Sequence, residues 1–246
     1  QRQMCIRDSD KVVKLIDDAK SLNVNVVMPD VNMSFPDFRV IDDHTISYGL
    51  AAIKNVGYKA AEDVAKARKD VTYKTIFDLC TIESTAVNKK TLESLILAGA
   101  CDQLAGHRAQ QYESIDKVIH FGQLYNKQSN KNQESLFSSD GVDMEIPIPE
   151  LAEAEEWSSD ICLSKEKELI GFYLSGNPLE PYLMYLKDYE VDDVKGKDSE
   201  LRLGGLVSSS KILFDKRNNQ WAIITLERMS SKAEIFIISD LFNNCL

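Results

Sequence analysis

The sequence predicts an α+β fold, mainly α, in which a bundle of helices is followed by a small β-sheet. Several segments between residues 50 and 175 carry apolar residues three and four positions apart, which is the stripe that a helix buries. From Leu201 onward the pattern changes to β-branched and aromatic segments separated by polar turns, as is typical of strands. With 43% hydrophobic residues among 246, the chain can form one or two modest cores.

The first 49 residues predict a short mixed region. Residues 1–9 show no apolar periodicity, and we expect them to be an unstructured scar of cloning or sequencing. Lys11–Lys20 carries apolar residues at helical spacing, and Val24–Val27 predicts a short strand. Two extended segments on either side of Asp42-Asp43-His44 predict a β-hairpin that leads into the helices.

Further elements follow from the same two periodicities. Apolar stripes predict helices at 76–80, 92–97, 112–125 and 158–175. The last of these should end where Gly176 and Pro178 make continuation costly. Strands are predicted at 201–207, 221–226 and 234–238, with turns at 216–219 and 230–232.

The segment Leu50–Val64 predicts two helices joined by a tight hairpin. Ile53 and Val56 are expected to point inward, while Asn55 and Gly57 take backbone angles that bulky residues avoid. The backbone amides that open the second helix would then be free, and free amides at a helix N-terminus attract anions. The hairpin is therefore a candidate phosphate-binding element.

Lysines beside this hairpin favour the DNA backbone as its ligand. Lys54 and Lys59 flank the turn without any base-reading geometry, so the expected contact is independent of sequence. Residues 51–90 hold eight basic and five acidic residues, a local charge of +3 in a chain of formal charge −10. Residues 140–160 hold eight acidic and no basic residues, which indicates a solvated linker. On this pattern alone, an ordinary helical hairpin in which Gly57 merely ends a helix remains the alternative.

Motifs in a fixed order along the chain resemble the alpha subunits of bacterial DNA polymerase III, the C-family replicative DNA polymerases. They are Met28-Pro29-Asp30-Val31-Asn32, Tyr48-Gly49-Leu50 leading into Ile53-Lys54, Asn88-Lys89-Lys90 followed by Leu95–Asp102, and Glu166–Leu179. The chain departs from the family at Cys101, where an aromatic residue is commoner, and at Asn177, where His is usual. Ordered matches from Asp10 to about Leu241 make the resemblance specific.

The resemblance implies a tandem helix-hairpin-helix followed by an incomplete OB-fold β-barrel. The expected divisions are residues 1–9 (scar), 10–49 (end of a fingers-like region), 50–200 (helix-hairpin-helix and clamp-binding domain) and 201–246 (truncated OB-fold). Three strands would leave a five-stranded barrel open. Together the two hairpins imply a set of DNA contacts made by Lys54, Asn55, Val56, Gly57, Lys59, Lys89 and Lys90.

A long polar segment, residues 128–157, predicts an external loop. Within it, Gln133-Glu134-Ser135-Leu136-Phe137 resembles the family's clamp-binding pentapeptide. The resemblance assigns Gln133, Leu136 and Phe137 to a sliding clamp, with the apolar pair filling pockets and the Gln amide bonding at one edge. On the residues alone, Leu136 and Phe137 folding back onto their own bundle is the simpler interpretation.

We expect no catalytic and no metal-binding residue in this chain, and no cofactor. Five cysteines and three histidines lie without the spacing of a zinc site, a disulfide framework or an activated nucleophile, so a reducing cytoplasm is expected. No apolar run approaches the roughly 20 residues of a membrane span. The resemblance implies that the whole protein is a DNA-directed DNA polymerase whose Mg²⁺ is held by carboxylates upstream of this segment. Its implied partners are primer-template DNA, the sliding clamp and other replicase subunits.

Two other function classes stay open at this point. One is a free-standing helix-hairpin-helix DNA-binding or repair protein without polymerase activity, although a chain that starts at Gln1 is expected to be a piece of a longer one. The other is a structural module whose hairpins pack on protein. Salt-dependent binding to duplex DNA would separate this module from a DNA-binding hairpin.

Overall fold

A computed structural model describes residues 12, 15–16, 18–19, 21–68, 72–82, 84–135, 146–189, 202–228, 232–238 and 241–242. The fold is α+β and mainly helical, as predicted. Contacts divide the chain into two compact units, residues 1–175 and 176–246. The described residues of the two units contain six α-helices and two three-stranded sheets.

The first unit begins with helical residues between positions 12 and 21, followed by a small sheet. Its strands are β1 (Asn25–Val27), β2 (Arg39–Asp42) and β3 (Thr45–Ser47), in the spatial order β1-β3-β2. β1 runs parallel to β3, and β2 pairs with β3 as the predicted antiparallel hairpin. β2 is thus an edge strand, and all four of its residues are exposed.

Helices form the rest of this unit. They are α1 (Tyr58–Ala67), α2 (Lys89–Leu97), α3 (Arg108–Glu113), α4 (Ile115–Ser135) and α5 (Ser159–Ile170). Their buried apolar residues form one core, in which the rings of Phe77 and Phe121 meet edge to face with centroids 5.5 Å apart. Ile53, Val56, Ile76 and Leu79 all belong to this core, so the stripes identified from sequence do face inward.

Several predicted helices have different limits. The first helix of the Leu50–Val64 hairpin is a single 3-10 turn, Leu50–Ala52. Its amides bond outside the helix, Leu50 to the Phe35 carbonyl and Ala51 to the Pro36 carbonyl. Gly49 lies against the same loop, where a β-carbon would come within 2.7 Å of the Pro36 oxygen. Packing against this loop therefore leaves room for only one turn.

Other boundaries differ for local reasons. The predicted helix at 76–80 is a 3-10 turn over Asp78–Cys80, and the predicted helix at 112–125 is two helices that divide at Ser114. The predicted loop from 128 is wrong at its start, because α4 continues to Ser135. No Gly or Pro occurs from residue 123 to 135, so a polar sequence stays helical there.

The second unit holds a 3-10 turn at Glu180–Tyr182, helix α6 (Leu183–Tyr189) and an antiparallel meander. The strands are β4 (Leu206–Phe214), β5 (Gln220–Glu227) and β6 (Lys232–Ile237). Predicting β4 at 201–207 placed it too early. Gly205 instead crosses so close to Glu227 that a β-carbon would lie 2.5 Å from its carbonyl oxygen.

Candidate nucleic-acid interface

The first hairpin has the predicted tight turn, but it uses one left-handed residue and not two. Asn55 adopts φ 67°, a region open mainly to Gly, Asn and Asp. Gly57 has φ −71° and ψ 149°, an extended conformation that any residue adopts, so the expectation for Gly57 is wrong. The reason is that Gly57 is the N-cap of α1, and an N-cap residue has β-region angles.

The hairpin is fixed to two helices. The amide of Lys54 donates to the Leu169 carbonyl in α5 at 3.0 Å. The Asn55 side-chain amide lies 3.3 Å from the Ser94 hydroxyl in α2. With Ile53 and Val56 buried underneath, the turn presents Lys54, Asn55 and Gly57 to solvent on a rigid base.

The sequence predicts that the N-terminus of α1 attracts an anion, and the structure leaves this helix start uncapped. Gly57 has no side chain, and no side-chain cap bond is made there. A capping side chain usually satisfies one of the opening amides, so an uncapped start leaves these donors for solvent or a ligand. Partial positive charge at a helix N-terminus adds to the attraction for phosphate.

Lys59 differs from Lys54 in its surroundings. Its ammonium lies 2.5 Å from an Asp63 oxygen and 3.9 Å from Glu62, both on α1. The hydrogen bond from Lys59 lowers the pKa of Asp63, which Ser84 also contacts, and the same bond raises the pKa of Lys59. Lys54 is exposed and has no carboxylate partner within the described ranges. Its charge is therefore the more available of the two.

The two lysines at the start of α2 also differ. Lys89 forms an ion pair with Asp116 at 2.5 Å, whereas Lys90 is exposed and pairs with no carboxylate in the part of the chain that is described. Lys90 lies one helical turn before Ser94, so the two share a face of α2. Because Ser94 contacts Asn55, the fold brings Lys90 beside the first hairpin. We call the surface formed by Lys54, Asn55, Gly57 and Lys90 the hairpin surface.

In the second hairpin the two lysines and the turn lie at opposite ends of α2. Lys89 and Lys90 begin α2, whereas the turn lies beyond its other end, where Gly99 has φ 80°. Here Arg108 closes the loop by pairing with Asp102, with Nε–Oδ1 at 2.7 Å and Nη2–Oδ2 at 2.5 Å. At the turn of the second hairpin, the charge of Arg108 is therefore already paired with Asp102.

A buried carboxylate that sequence reasoning missed supports this region. Glu166 in α5 is fully buried and accepts from the Leu174 amide (2.7 Å), the Ser175 amide (2.9 Å) and the Ser175 hydroxyl (2.6 Å). Both amides donate to Oε1, and Oε2, which accepts the hydroxyl, lies 3.9 Å from Arg108 Nη2. These bonds are possible because α5 ends at Gly171, with φ 99°, and not at Gly176 as predicted. Gly171 was the available sequence signal for that end.

The pentapeptide assigned to a sliding clamp is only partly within the described structure. The backbone of Gln133 belongs to the last turn of α4. Leu136 and Phe137 lie outside the described residues. The clamp assignment therefore stays a prediction.

Within the described ranges, no group of three or more His, Cys, Asp or Glu residues could hold a metal ion. Burial raises the pKa of the Cys80 thiol to about 12, so this thiol stays protonated at neutral pH. No helix in the described part is both long and apolar enough to cross a bilayer.

Comparison with known proteins finds one matching family model and several similar proteins that share the same description. Residues 23–111 match the family described as "Helix-hairpin-helix motif". Over 95% of its length the chain is 32% identical to DNA polymerase III subunit alpha of Vibrio cholerae and 31% identical to that of Escherichia coli K12. The same subunit of Borreliella burgdorferi is 32% identical over 96% of the chain. The chain spans about a fifth (21%) of the length of each of these relatives.

Proposed function

We propose that this chain, which fits a segment of DNA polymerase III subunit alpha, holds DNA for a bacterial replicative polymerase. The observation that carries the proposal is the hairpin surface, where the left-handed Asn55 turn leads into an uncapped helix beside two exposed lysines. Such a surface suits phosphate oxygens and offers nothing that would read bases. Binding is therefore expected to be independent of DNA sequence.

The lysines of the hairpin surface and the two lysines beside it differ in how available their charges are to a phosphate. Lys54 and Lys90 are ready for phosphate contacts, whereas Lys59 would first have to leave Asp63. Exchange of one surface ion pair for another changes the free energy little, since exposed pairs contribute about 0–1 kcal/mol. We therefore assign Lys54, Lys90 and the opening amides of α1 the main contacts, and Lys59 and Lys89 supporting ones.

A binding assay on single variants tests this surface. Fluorescence anisotropy with a short labelled duplex is run on Lys54→Ala and Lys90→Ala, beside Lys127→Ala as a control of equal net charge. Lys127 is exposed on α4, about 16 Å beyond Asp116 along the helix. Affinity should fall several-fold in the first two variants and stay unchanged in the control. Equal losses in all three would mean that only general charge matters.

For the pentapeptide we propose contact with the sliding clamp. Its support is the Gln-x-x-Leu-Phe pattern in the sequence, which begins in the last turn of α4. Calorimetric titration into a bacterial clamp, beside a variant with Gln133, Leu136 and Phe137 changed to Ala, tests it. Loss of binding in the variant alone supports the assignment, and equal binding by both proteins refutes it.

Catalysis belongs to the proposed whole protein. In such a polymerase, carboxylates hold two Mg²⁺ ions that activate the primer hydroxyl and stabilise the leaving phosphate. We assign no residue of this chain to that reaction. We propose primer-template DNA and other replicase subunits as its partners, and the bacterial cytoplasm as its location. The β4-β5-β6 sheet is proposed as part of an OB-fold.

A further inference from the structure

A cleft with a volume of about 630 Å³ lies on one face of the β1-β3-β2 sheet. Val27 and Arg39 both pair with Ser47 in the sheet register, so the three side chains share this face. The loop after β1 and the loop after α2 form the other walls. We call it the sheet cleft. Its size is within the range of about 300–1,000 Å³ that holds small ligands.

Two members of a cation-aromatic stack, Phe35 and Arg39, line the sheet cleft. The guanidinium carbon of Arg68 lies 4.5 Å from the centroid of the Phe35 ring, and that of Arg39 lies 4.3 Å from it. Arg68 is held in place because it donates to the carbonyls of Ser34 and Val31. Arg39 is exposed and has no carboxylate partner among the described residues. The ring thus positions a guanidinium whose donors are available to a ligand.

The remaining walls are apolar and open. Met33, Val40 and Ile41 line the sheet cleft with 70%, 69% and 58% of their surface exposed. The two carboxylates present are already engaged, since Asp30 accepts from the Asn32 amide and Asp102 pairs with Arg108. An anionic ligand with flat apolar faces fits this combination.

Unpaired nucleotides have that chemistry, and a duplex does not. In a duplex the base faces are stacked on one another, so contact with a duplex would bury little of the cleft's apolar wall. An unpaired base can stack on an aromatic ring or on a guanidinium plane, and its phosphate can accept from arginine. Gly99 and Gln103 in the wall of the cleft follow α2, whose nine residues span about 14 Å, so the cleft and Lys90 of the hairpin surface lie at opposite ends of this helix.

We propose that the sheet cleft binds unpaired nucleotides of a DNA overhang, with a base stacked at Arg39 and Phe35 and a phosphate held by Arg39. This inference rests on the proposed DNA binding by the hairpin surface. Arg39 is the contacting cation, whereas Arg68 positions the ring. A strand that leaves the bound duplex would have to span about 14 Å, the length of α2, to reach the cleft.

The test compares three labelled DNAs by anisotropy: a blunt duplex, the same duplex with an overhang of about eight nucleotides, and that overhang made abasic. The overhang should strengthen binding by about tenfold, and the abasic overhang should lose most of this gain. Arg39→Gln and Phe35→Leu should remove the gain while leaving blunt-duplex affinity unchanged. Arg202→Gln is the matched control, since Arg202 is exposed in the second unit.

The outcomes separate the two proposals. If Lys90→Ala weakens both duplexes equally while Arg39→Gln affects the overhang alone, both surfaces act as proposed. If the wild-type chain gains nothing from the overhang, or Arg39→Gln leaves the gain intact, the sheet-cleft proposal is wrong and the hairpin surface is unaffected. If no duplex binds, the hairpin proposal fails, and free single strands of the same length still test Arg39. Equal binding of abasic and natural overhangs would refute base stacking.

Discussion

Substitution of Asn55 should lower the stability of the fold, whereas substitution of Gly57 should change it little, although both residues lie in the same turn. Asn55→Ala keeps φ 67° but removes the short polar side chain whose local hydrogen bonds let Asn tolerate this left-handed region, which costs about 1–2 kcal/mol. It also removes the 3.3 Å contact with the buried Ser94, worth about 0.5–1 kcal/mol. Together the free energy of unfolding should fall by about 1.5–3 kcal/mol.

Asn55→Gly separates the two contributions. Glycine takes positive φ without strain, so this variant loses mainly the Ser94 contact and should be about 1 kcal/mol more stable than Asn55→Ala. Gly57→Ala should change stability by less than about 0.5 kcal/mol, because Gly57 is extended and a β-carbon there would meet no atom within 4 Å.

Chemical denaturation followed by circular dichroism measures all three variants, and duplex binding is measured beside it. Asn55→Ala should also weaken DNA binding, since the turn sets the direction of Lys54. Equal stabilities of Asn55→Ala and Asn55→Gly would show that the left-handed turn is not required. A loss of more than about 1 kcal/mol in Gly57→Ala would show that Gly57 and not Asn55 carries the constraint.

Three more predictions concern two buried groups, Glu166 and Tyr73, and the difference between Lys59 and Lys54. Glu166→Ala leaves two amides and the Ser175 hydroxyl without an acceptor, so the free energy of unfolding measured by denaturation should fall by about 3–5 kcal/mol. Glu166→Gln keeps one acceptor oxygen and should lose less than half as much, and equal losses in the two variants would contradict this account. Burial raises the pKa of Tyr73 to about 12, so folding keeps the phenol neutral, and the stability this gives is present below pH 10 and lost as pH rises from about 10 to 12. Stability measured against pH should fall less steeply there in Tyr73→Phe, and an unchanged slope would refute the assignment. Lys59→Ala should weaken duplex binding less than Lys54→Ala in anisotropy because Asp63 already neutralises Lys59, and the reverse order would contradict that.

Local chemistry made much of the first hairpin predictable. Ile53 and Val56 had to point inward because their neighbours are polar or small, and Asn55 was a candidate for positive φ on its side chain alone. Gly57 was misjudged because glycine serves equally as a left-handed residue and as an N-cap. The family relationship was also evident from the order of motifs along the chain, and the comparisons confirm it.

Contacts between residues that are far apart in the sequence could not be predicted from local sequence patterns. Arg108 lies near Glu166 across 58 residues of sequence, and no periodicity links them. The stack at Phe35 likewise joins Arg39 of β2 to Arg68, which follows α1. Lys59 appeared equivalent to Lys54 in sequence, and only the packing of α1 reveals its partner. Charge counts could identify a basic region but not which of its cations are already paired.

The most direct test of the central claim is the salt dependence of duplex binding by the wild-type chain and by a Lys54→Ala, Lys90→Ala double variant. If the hairpin surface holds phosphates, the logarithm of the wild-type binding constant should fall linearly with the logarithm of salt concentration. The slope of the double variant should be shallower by about 1.8, since each lost phosphate contact removes about 0.9. Identical slopes for the two proteins, or binding that does not respond to salt, would contradict DNA binding by the hairpin surface.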